Sequence, residues 1–188
     1  MLLRKVLFSF LLAGAILYAQ QAQPQRALDV PYVPTTEEAV DAMLKLANVQ
    51  KTDIVYDLGC GDGRIVIAAA KTYGAHGVGI DINPDRIAEA KANAKKAGVD
   101  NLVRFEENDL FKADFHQATV VTLFLLSSVN LKLRPILLEQ LKPGTRVVSN
   151  TFDMGDWKPD KEATVGNSDE ESFLSHKLYF WIVPQKGK

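Results

Sequence analysis

The segment DLGCGDGR at residues 57–64 has the residue types and spacing best suited to chemistry. It follows a β-branched apolar run and precedes an apolar helical pattern, so its glycines stand where a strand ends and a helix begins. Glycines at such a turn permit a sharp bend and let backbone N–H groups approach a ligand with no Cβ in the way. The segment therefore predicts a ligand site contacted by Asp57, Gly59 and Gly61.

The glycine spacing indicates which kind of ligand the loop would take. A dinucleotide site favours G-x-G-x-x-G, whereas this loop has G-x-G-x-G. Asp57 stands before the first glycine, where a carboxylate would repel a pyrophosphate but hold the ammonium group of an amino acid. A nucleoside that carries an amino acid satisfies both observations, so the loop predicts S-adenosylmethionine as cofactor.

Polar residues also end the next two strands. Asp81 lies about 20 residues beyond the glycines, where ribose hydroxyls are usually bound. Asn108 and Asp109 follow the third strand and could hydrogen-bond adenine, with Leu110 and Phe111 as apolar sides. Each feature also has a plainer interpretation as a turn or cap. Their agreement in order and spacing favours one shared cofactor site.

The elements that would position these residues alternate along the chain. Short apolar runs predict strands over 53–58, 77–81, 102–106, 118–125 and 146–151, separated by helices over 64–73, 84–97 and 130–141. A first helix, capped by Thr35 or Thr36, precedes them. The run 177–183 predicts a closing antiparallel hairpin with 162–165. We therefore predict an α/β fold: a doubly wound, mostly parallel seven-stranded sheet of the Rossmann-like type with a C-terminal antiparallel hairpin.

The N-terminus has the layout of a signal peptide. Arg4 and Lys5 precede an apolar run over 6–18, and the small Ala19 follows it. Cleavage after Ala19 is expected, although the bulky Leu17 at the −3 position also permits an uncleaved anchor. We predict a signal peptide or anchor over 1–19, a linker over 20–30 and one domain over 31–188. The domain is expected to be exported, periplasmic or extracytoplasmic, or anchored to a membrane.

The composition argues against several other classes. Without the leader the chain has 20 basic and 23 acidic residues, which is unlike a nucleic-acid-binding surface. Cys60 is the only cysteine, so no intrachain disulfide can form. The three histidines have no metal-ligand spacing, and we expect no metal. Oligomeric state has no signal in the sequence.

Three segments resemble a known family: PYVPT at 31–35, DLGCGDGRIV at 57–66 and NLKLRP at 130–135. They are similar to the class I methyltransferases that include the mitochondrial lysine methyltransferases of the ATP synthase c-subunit and of the adenine nucleotide translocase, with bacterial relatives. The resemblance implies that Tyr32 and Thr35 contact the cofactor alongside the strand-end residues. It also implies a protein lysine as methyl acceptor and membrane association through the N-terminal segment.

The acceptor side is less well defined by the sequence. Methyl transfer needs alignment of the nucleophile and exclusion of water, and no residue is assigned a catalytic role. Candidates to face the acceptor follow the fourth and fifth strands: Ser127, Ser128, Asn130, Asn150, Asp153, Asp156 and Trp157. The fourth strand continues as LFLL and lacks the Asn-Pro-Pro-Tyr type of segment, which disfavours nucleobase methylation. A small-molecule acceptor and a non-catalytic cofactor-binding scaffold remain the alternatives.

Overall fold

The computed structural model describes residues 32–166 and 176–185. Within these ranges the chain forms four helices and seven strands, in the order α1 (Glu37–Leu46), β1 (Ile54–Leu58), α2 (Arg64–Tyr73), β2 (His76–Asp81), α3 (Pro84–Ala97), β3 (Val103–Glu107), β4 (Val120–Leu123), α4 (Ser127–Gln140), β5 (Arg146–Asn150), β6 (Lys161–Val165) and β7 (His176–Ile182). The predicted signal peptide or anchor and linker, over 1–30, lie outside the described residues.

The helix ends follow from local chemistry. Thr36 caps α1 by accepting a hydrogen bond from the Ala39 N–H at 3.2 Å, and the Asn83 side chain caps α3 ahead of Pro84. Gly98 ends α3 in the left-handed conformation that only glycine adopts at little cost. The predicted bounds of α2 and α3 are confirmed residue for residue.

The sheet has the strand order β3-β2-β1-β4-β5-β7-β6. The first five strands pair in parallel, and β7 pairs antiparallel with both β5 and β6. From β1 the strands are added outwards to β3, and the chain then returns to form β4 on the other side of β1. The predicted doubly wound sheet with a C-terminal hairpin is therefore confirmed, and its ligand crevice is expected beside β1, where the order reverses.

Helices cover both faces of the sheet, each over its own apolar core. On one face α1, α2 and α3 bury residues such as Met43, Val66 and Ala90 against the strands. On the other face α4 buries Leu133 and Leu137 against Leu123 and Trp181. The central strands β1, β4 and β5 are buried on both sides, so they are nearly continuous apolar runs in the sequence.

The fourth strand and the following helix differ most from the prediction. The sequence predicts the strand over 118–125, but it ends at Leu123, and α4 begins at Ser127 rather than at residue 130. Val129, Leu133 and Leu137 share one helix face, and this spacing carries the helix back through Ser127 and Ser128. The two serines are therefore exposed residues of the first helical turn instead of loop residues.

No helix among the described residues has both the length and the apolar character needed to cross a membrane.

A buried carboxylate joins α1 to the amino ends of two strands. Asp53 is 5% exposed, and its Oδ1 accepts a hydrogen bond from the Thr119 hydroxyl at 2.7 Å and pairs with Arg146. Arg146 also donates to the carbonyls of Ala47 and Asn48, at 2.8 and 2.9 Å, just after α1. These bonds fix the position of α1 beside the sheet.

We expect an Asp53→Ala variant to lose about 3 kcal/mol of unfolding free energy, because the Arg146 guanidinium would keep its site without its partner. Urea denaturation measures this loss. The matched control is Asp114→Ala, which removes a carboxylate from an exposed pair with His116 and should leave the urea midpoint unchanged. Equal midpoints for the two variants would contradict the structural role of Asp53.

Candidate active site

A cleft of about 350 Å³ opens at the carboxyl ends of β1 to β5. It lies at the reversal of strand order, where open α/β sheets bind their ligands. All eight cofactor contacts predicted from the sequence line this cleft: Tyr32, Thr35, Asp57, Gly59, Gly61, Asp81, Asn108 and Asp109. The topology thus brings together residues from the N-terminal segment and from the ends of three strands.

The glycine loop forms the floor of the cleft. Gly59 and Gly61 have φ angles of +86° and +51°, which L side chains rarely adopt. A Cβ on Gly59 would lie 2.8 Å from Leu125 Cδ2, and one on Gly61 would lie 2.5 Å from Tyr32 Cε2. The loop backbone therefore faces the cleft directly, as the cradle of a nucleoside cofactor requires.

Asp57 is 3% exposed at the end of β1 and accepts a hydrogen bond from the Thr122 hydroxyl at 2.8 Å. Burial raises the pKa of Asp57 from its usual 3.8 to about 7; the Thr122 bond opposes this shift, and the charges of Asp81 and Asp62 add to it. A cation placed beside this carboxylate would restore its charge. The site therefore suits the ammonium group of S-adenosylmethionine.

Asp81 is the last residue of β2, and each of its carboxylate oxygens already accepts one hydrogen bond. Its Oδ2 accepts from the Gly61 N–H and its Oδ1 from the Asn83 N–H, each at 2.9 Å. A carboxylate offers about four acceptor positions, so about two remain for ribose hydroxyls. The same contacts fix the glycine loop relative to β2, so Asp81 has a structural role in addition to its predicted one.

Asn108 and Asp109 follow β3 at the side of the cleft. The Asn108 Oδ1 accepts from the Asp109 N–H at 2.8 Å, and the Asp109 Oδ1 accepts from the Phe111 N–H at 3.1 Å. These local bonds shape the turn, as the plainer interpretation of these residues proposes, while both residues still line the cleft. Leu110 lines it as predicted, but Phe111 does not.

The N-terminal segment 32–35 closes one side of the cleft. Thr35 is 4% exposed, whereas Tyr32 and Val33 are 41% and 57% exposed at the rim. Of the two residues predicted to cap α1, Thr36 is the cap, and Thr35 lines the cleft instead. The Tyr32 ring lies against Gly61 and carries the Arg86 guanidinium above it, 4.1 Å from the ring centroid.

None of the seven acceptor-side candidates lines the cleft. Asn130 is buried and donates to the carbonyls of Phe152 and Asp153 at 3.1 and 3.2 Å. The carboxylate of Asp156 pairs with Arg134, and Trp157 packs on Trp181 with their ring centroids 5.7 Å apart. Ser127 and Ser128 are exposed on α4, Asn150 is buried in β5, and Asp153 is exposed in the following turn.

Apolar residues occupy the acceptor side instead. Phe124 and Leu126 follow β4, and Phe152 follows β5; the two phenyl rings stack with centroids 6.3 Å apart. The rule that ligands bind at the carboxyl ends of parallel strands could have identified these residues, once the end of β4 was placed at Leu123. Arg86, on the surface of α3, has no comparable signal in the sequence.

We expect a Gly61→Ala variant to bind S-adenosylmethionine at least about tenfold more weakly than wild type, because its methyl group would displace the Tyr32 ring. Gly98→Ala is the matched control: its φ is +70° and a Cβ there would meet nothing within 4 Å. Both variants should lose about 1 kcal/mol of stability from the left-handed backbone. If calorimetric titration gave equal affinities for the two variants, the predicted contact between the glycine loop and the cofactor would be wrong.

Comparison with known proteins supports the same cofactor. The ANTKMT methyltransferase domain family matches residues 57–161. A protein-lysine N-methyltransferase of Saccharolobus islandicus is 47% identical over 82% of this chain and 94% of its own length. An ATP synthase C-subunit lysine N-methyltransferase of Xenopus laevis is 38% identical over 72% of this chain, which spans 59% of that longer relative.

A solved structure is also similar to the chain. It is an RNA methyltransferase from Salinibacter ruber in complex with S-adenosyl-L-homocysteine, 56% identical, with a TM-score of 0.76 over 83% of this chain and 97% of that one. The resemblance inferred from PYVPT, DLGCGDGRIV and NLKLRP is confirmed by these matches. The chain belongs to the family of the ANTKMT methyltransferase domain and is an S-adenosylmethionine-dependent methyltransferase.

Proposed function

We propose that the chain methylates lysine amines of a protein. The observation that carries the proposal is the 47% identity, over 82% of this chain and 94% of the relative, with a protein named as a protein-lysine N-methyltransferase. The exposed rim supports it, because Tyr32, Val33 and Leu126 leave the mouth of the cleft accessible to a side chain that belongs to another protein. A long, flexible lysine can enter such a cleft while its backbone stays outside.

The cleft has an acidic part and an apolar part. The acidic residues that line it, Asp57, Asp62, Asp81 and Asp109, belong to the glycine loop or to the ends of the first three strands. The part after β4 and β5 is lined by Phe124, Leu125, Leu126, Thr151 and Phe152, with no acid or base among them. Cofactor binding and acceptor binding therefore have separate surfaces of opposite character.

This apolar surface favours the unprotonated form of the incoming amine. Desolvation by the wall of Phe124 and Phe152 lowers the pKa of a lysine ammonium, so that its proton passes to solvent before the amine accepts the methyl group. When bound, S-adenosylmethionine supplies the activated methyl group. The protein's own contribution is to align the amine and exclude water.

RNA is the second candidate acceptor, because the 56% identical solved structure is described as an RNA methyltransferase. The charges of the cleft do not favour RNA as the acceptor. Arg64 and Arg86 line the cleft, but each pairs with a carboxylate, on Asp62 and Glu89 respectively. Neutralised arginines contribute little to phosphate binding.

A labelled-methyl assay separates the two acceptors. The full chain is incubated with cell protein and with RNA in the presence of S-adenosylmethionine labelled on its methyl group, followed by complete hydrolysis of each. Labelled methyl-lysine in the protein fraction is the expected result, and labelled nucleosides would replace the lysine proposal by the RNA one. Label in neither fraction, from a protein that binds the cofactor, would favour a small-molecule acceptor or a non-catalytic scaffold.

We further propose that the first 19 residues take the chain to a membrane, where the domain is either exported or held by an uncleaved anchor. The support is the pair Arg4 and Lys5 ahead of the apolar run 6–18. Mass spectrometry of the protein from its host membrane and soluble fractions tests this. A mass that lacks the first 19 residues indicates cleavage, whereas the intact chain found only in the soluble fraction would refute membrane targeting.

A further inference from the structure

Two arginines hold the N-terminal segment on the cofactor cleft. Residues 32–35 form no helix or strand, and three of the four are exposed, yet all four line the cleft. A segment of this kind needs specific contacts to remain in place, because its own backbone supplies no regular hydrogen bonds. Arg64 and Arg86 make those contacts.

Arg64 binds the glycine loop and the N-terminal segment at once. Its Nε and Nη2 donate to the two carboxylate oxygens of Asp62 at 2.9 and 2.6 Å, and its Nη1 donates to the Thr35 carbonyl at 2.5 Å. A planar guanidinium fork suits this arrangement, whereas a lysine ammonium could not reach the three acceptors together. The carbonyl of Thr35 is thereby fixed relative to the loop that carries Gly61.

The position of Arg64 in its own helix supports this function. Arg64 is the first residue of α2, where a positive charge opposes the helix dipole, and Gly63 at the N-cap supplies no capping side chain. Asp62 offsets this charge by pairing with the guanidinium and accepts a hydrogen bond from the Arg64 backbone N–H at 3.2 Å. From this position the guanidinium reaches both the glycine loop and the Thr35 carbonyl.

Arg86 holds the other end of the segment. Its guanidinium lies 4.1 Å from the centroid of the Tyr32 ring, and the Cε2 edge of that ring lies beside Gly61. Tyr32 therefore contacts both α3 and the glycine loop although it is 41% exposed. The contact is a cation–π interaction, which needs the charge above the ring.

We propose that Arg64 and Arg86 are positioning residues for the cofactor, because they hold residues 32–35 against the glycine loop and so complete the wall of the cofactor site. Neither arginine faces the apolar acceptor surface formed by Phe124, Leu126 and Phe152, which follow the strands on the other side of β1. Loss of these arginine contacts should therefore raise the KM for S-adenosylmethionine and leave the KM for the acceptor unchanged.

The test uses Arg64→Lys, which keeps the charge and removes the fork, and Arg86→Gln, which removes the charge above Tyr32. The matched control is Arg104→Gln: Arg104 likewise pairs with a carboxylate, Glu106, and lies 5.9 Å from a tyrosine ring, but it does not line the cleft. The full chain of each variant is titrated with S-adenosylhomocysteine by calorimetry, and amide hydrogen exchange is followed over residues 32–36.

We expect Arg64→Lys to bind S-adenosylhomocysteine about tenfold and Arg86→Gln about fivefold more weakly, with faster exchange at the buried Thr35 and with melting temperatures like that of the control. Combining Arg86→Gln with Tyr32→Leu should cost no more affinity than Tyr32→Leu alone, because the two residues act as one contact. Affinities within about twofold of wild type for every arginine variant that folds would overturn the proposal. Arg86 lies on the surface, so Arg86→Gln decides the question even if Arg64→Lys does not fold.

Discussion

An Asp57→Asn variant is expected to bind S-adenosylmethionine at least about a hundredfold more weakly than wild type. The carboxylate is buried at the end of β1 and accepts a hydrogen bond from the neutral Thr122 hydroxyl, at 2.8 Å. An asparagine keeps the shape and the Thr122 contact but removes the charge. The loss should therefore measure the attraction between this carboxylate and the ammonium group of the cofactor.

The nucleoside 5′-methylthioadenosine is the matched probe, because it lacks the amino-acid part of the cofactor. Its affinity should be the same in wild type and in Asp57→Asn, within about twofold. If both ligands lost affinity equally, Asp57 would be shaping the glycine loop and the ammonium assignment would be wrong. Calorimetric titration of the full chain with each ligand gives both values.

The pKa of Asp57 also predicts a pH dependence of binding. Burial raises this pKa to about 7 in the ligand-free protein, whereas a bound ammonium group favours the ionised carboxylate. Binding near pH 6 should therefore release protons, and affinity should rise with pH up to about 7. Titrations in buffers of different ionisation enthalpy detect the released protons, which should be absent in Asp57→Asn.

The stability of the ligand-free protein should change with pH in the opposite direction. Because folding raises the pKa of Asp57 from 3.8 to about 7, the folded state binds more protons than the unfolded chain between these values. The contribution of Asp57 to stability then falls as pH rises from about 4 to 7, by up to about 4 kcal/mol. Asp57→Asn should accordingly melt at a higher temperature than wild type at pH 8, although it binds cofactor poorly.

Much of the fold and of the cofactor side could be predicted because both depend on local signals. Gly74 and Gly98 end α2 and α3 in left-handed conformations, and Pro84 begins α3, so these helix bounds are visible in the sequence. Parallel strands bring their carboxyl ends to one edge, and this places Asp57 and Asp81 together without further information.

The positions of the polar acceptor-side candidates after β5 could not be predicted because they depend on how one loop folds over α4. The side chain of Asn130 binds two carbonyls of the loop after β5, and Arg134 binds the Met154 carbonyl at 2.7 Å as well as Asp156. These contacts keep Asp153 and Asp156 out of the cleft and leave Thr151 and Phe152 lining it. Thr151 adopts a φ of +67°, a strained conformation for threonine that no sequence pattern predicts.

The second large effect is expected at Asp81. An Asp81→Ala variant should bind S-adenosylhomocysteine about a hundredfold more weakly, because two charge-assisted hydrogen bonds to ribose would be lost. The same change also removes the acceptors of the Gly61 and Asn83 N–H groups, both at 2.9 Å. A loss of affinity alone therefore does not distinguish contact with ribose from support of the glycine loop.

A cycle that pairs the variant with a modified ligand separates these two contributions. S-adenosylhomocysteine lacking its ribose 2′-hydroxyl should bind wild type about tenfold more weakly than the intact ligand, whereas Asp81→Ala should bind both ligands equally. If the deoxy ligand instead lost the same factor in both proteins, Asp81 would act only through the loop. The ribose contact would then have to come from another residue of the cleft, and Asn83, whose backbone already meets Asp81, lines it beside this position.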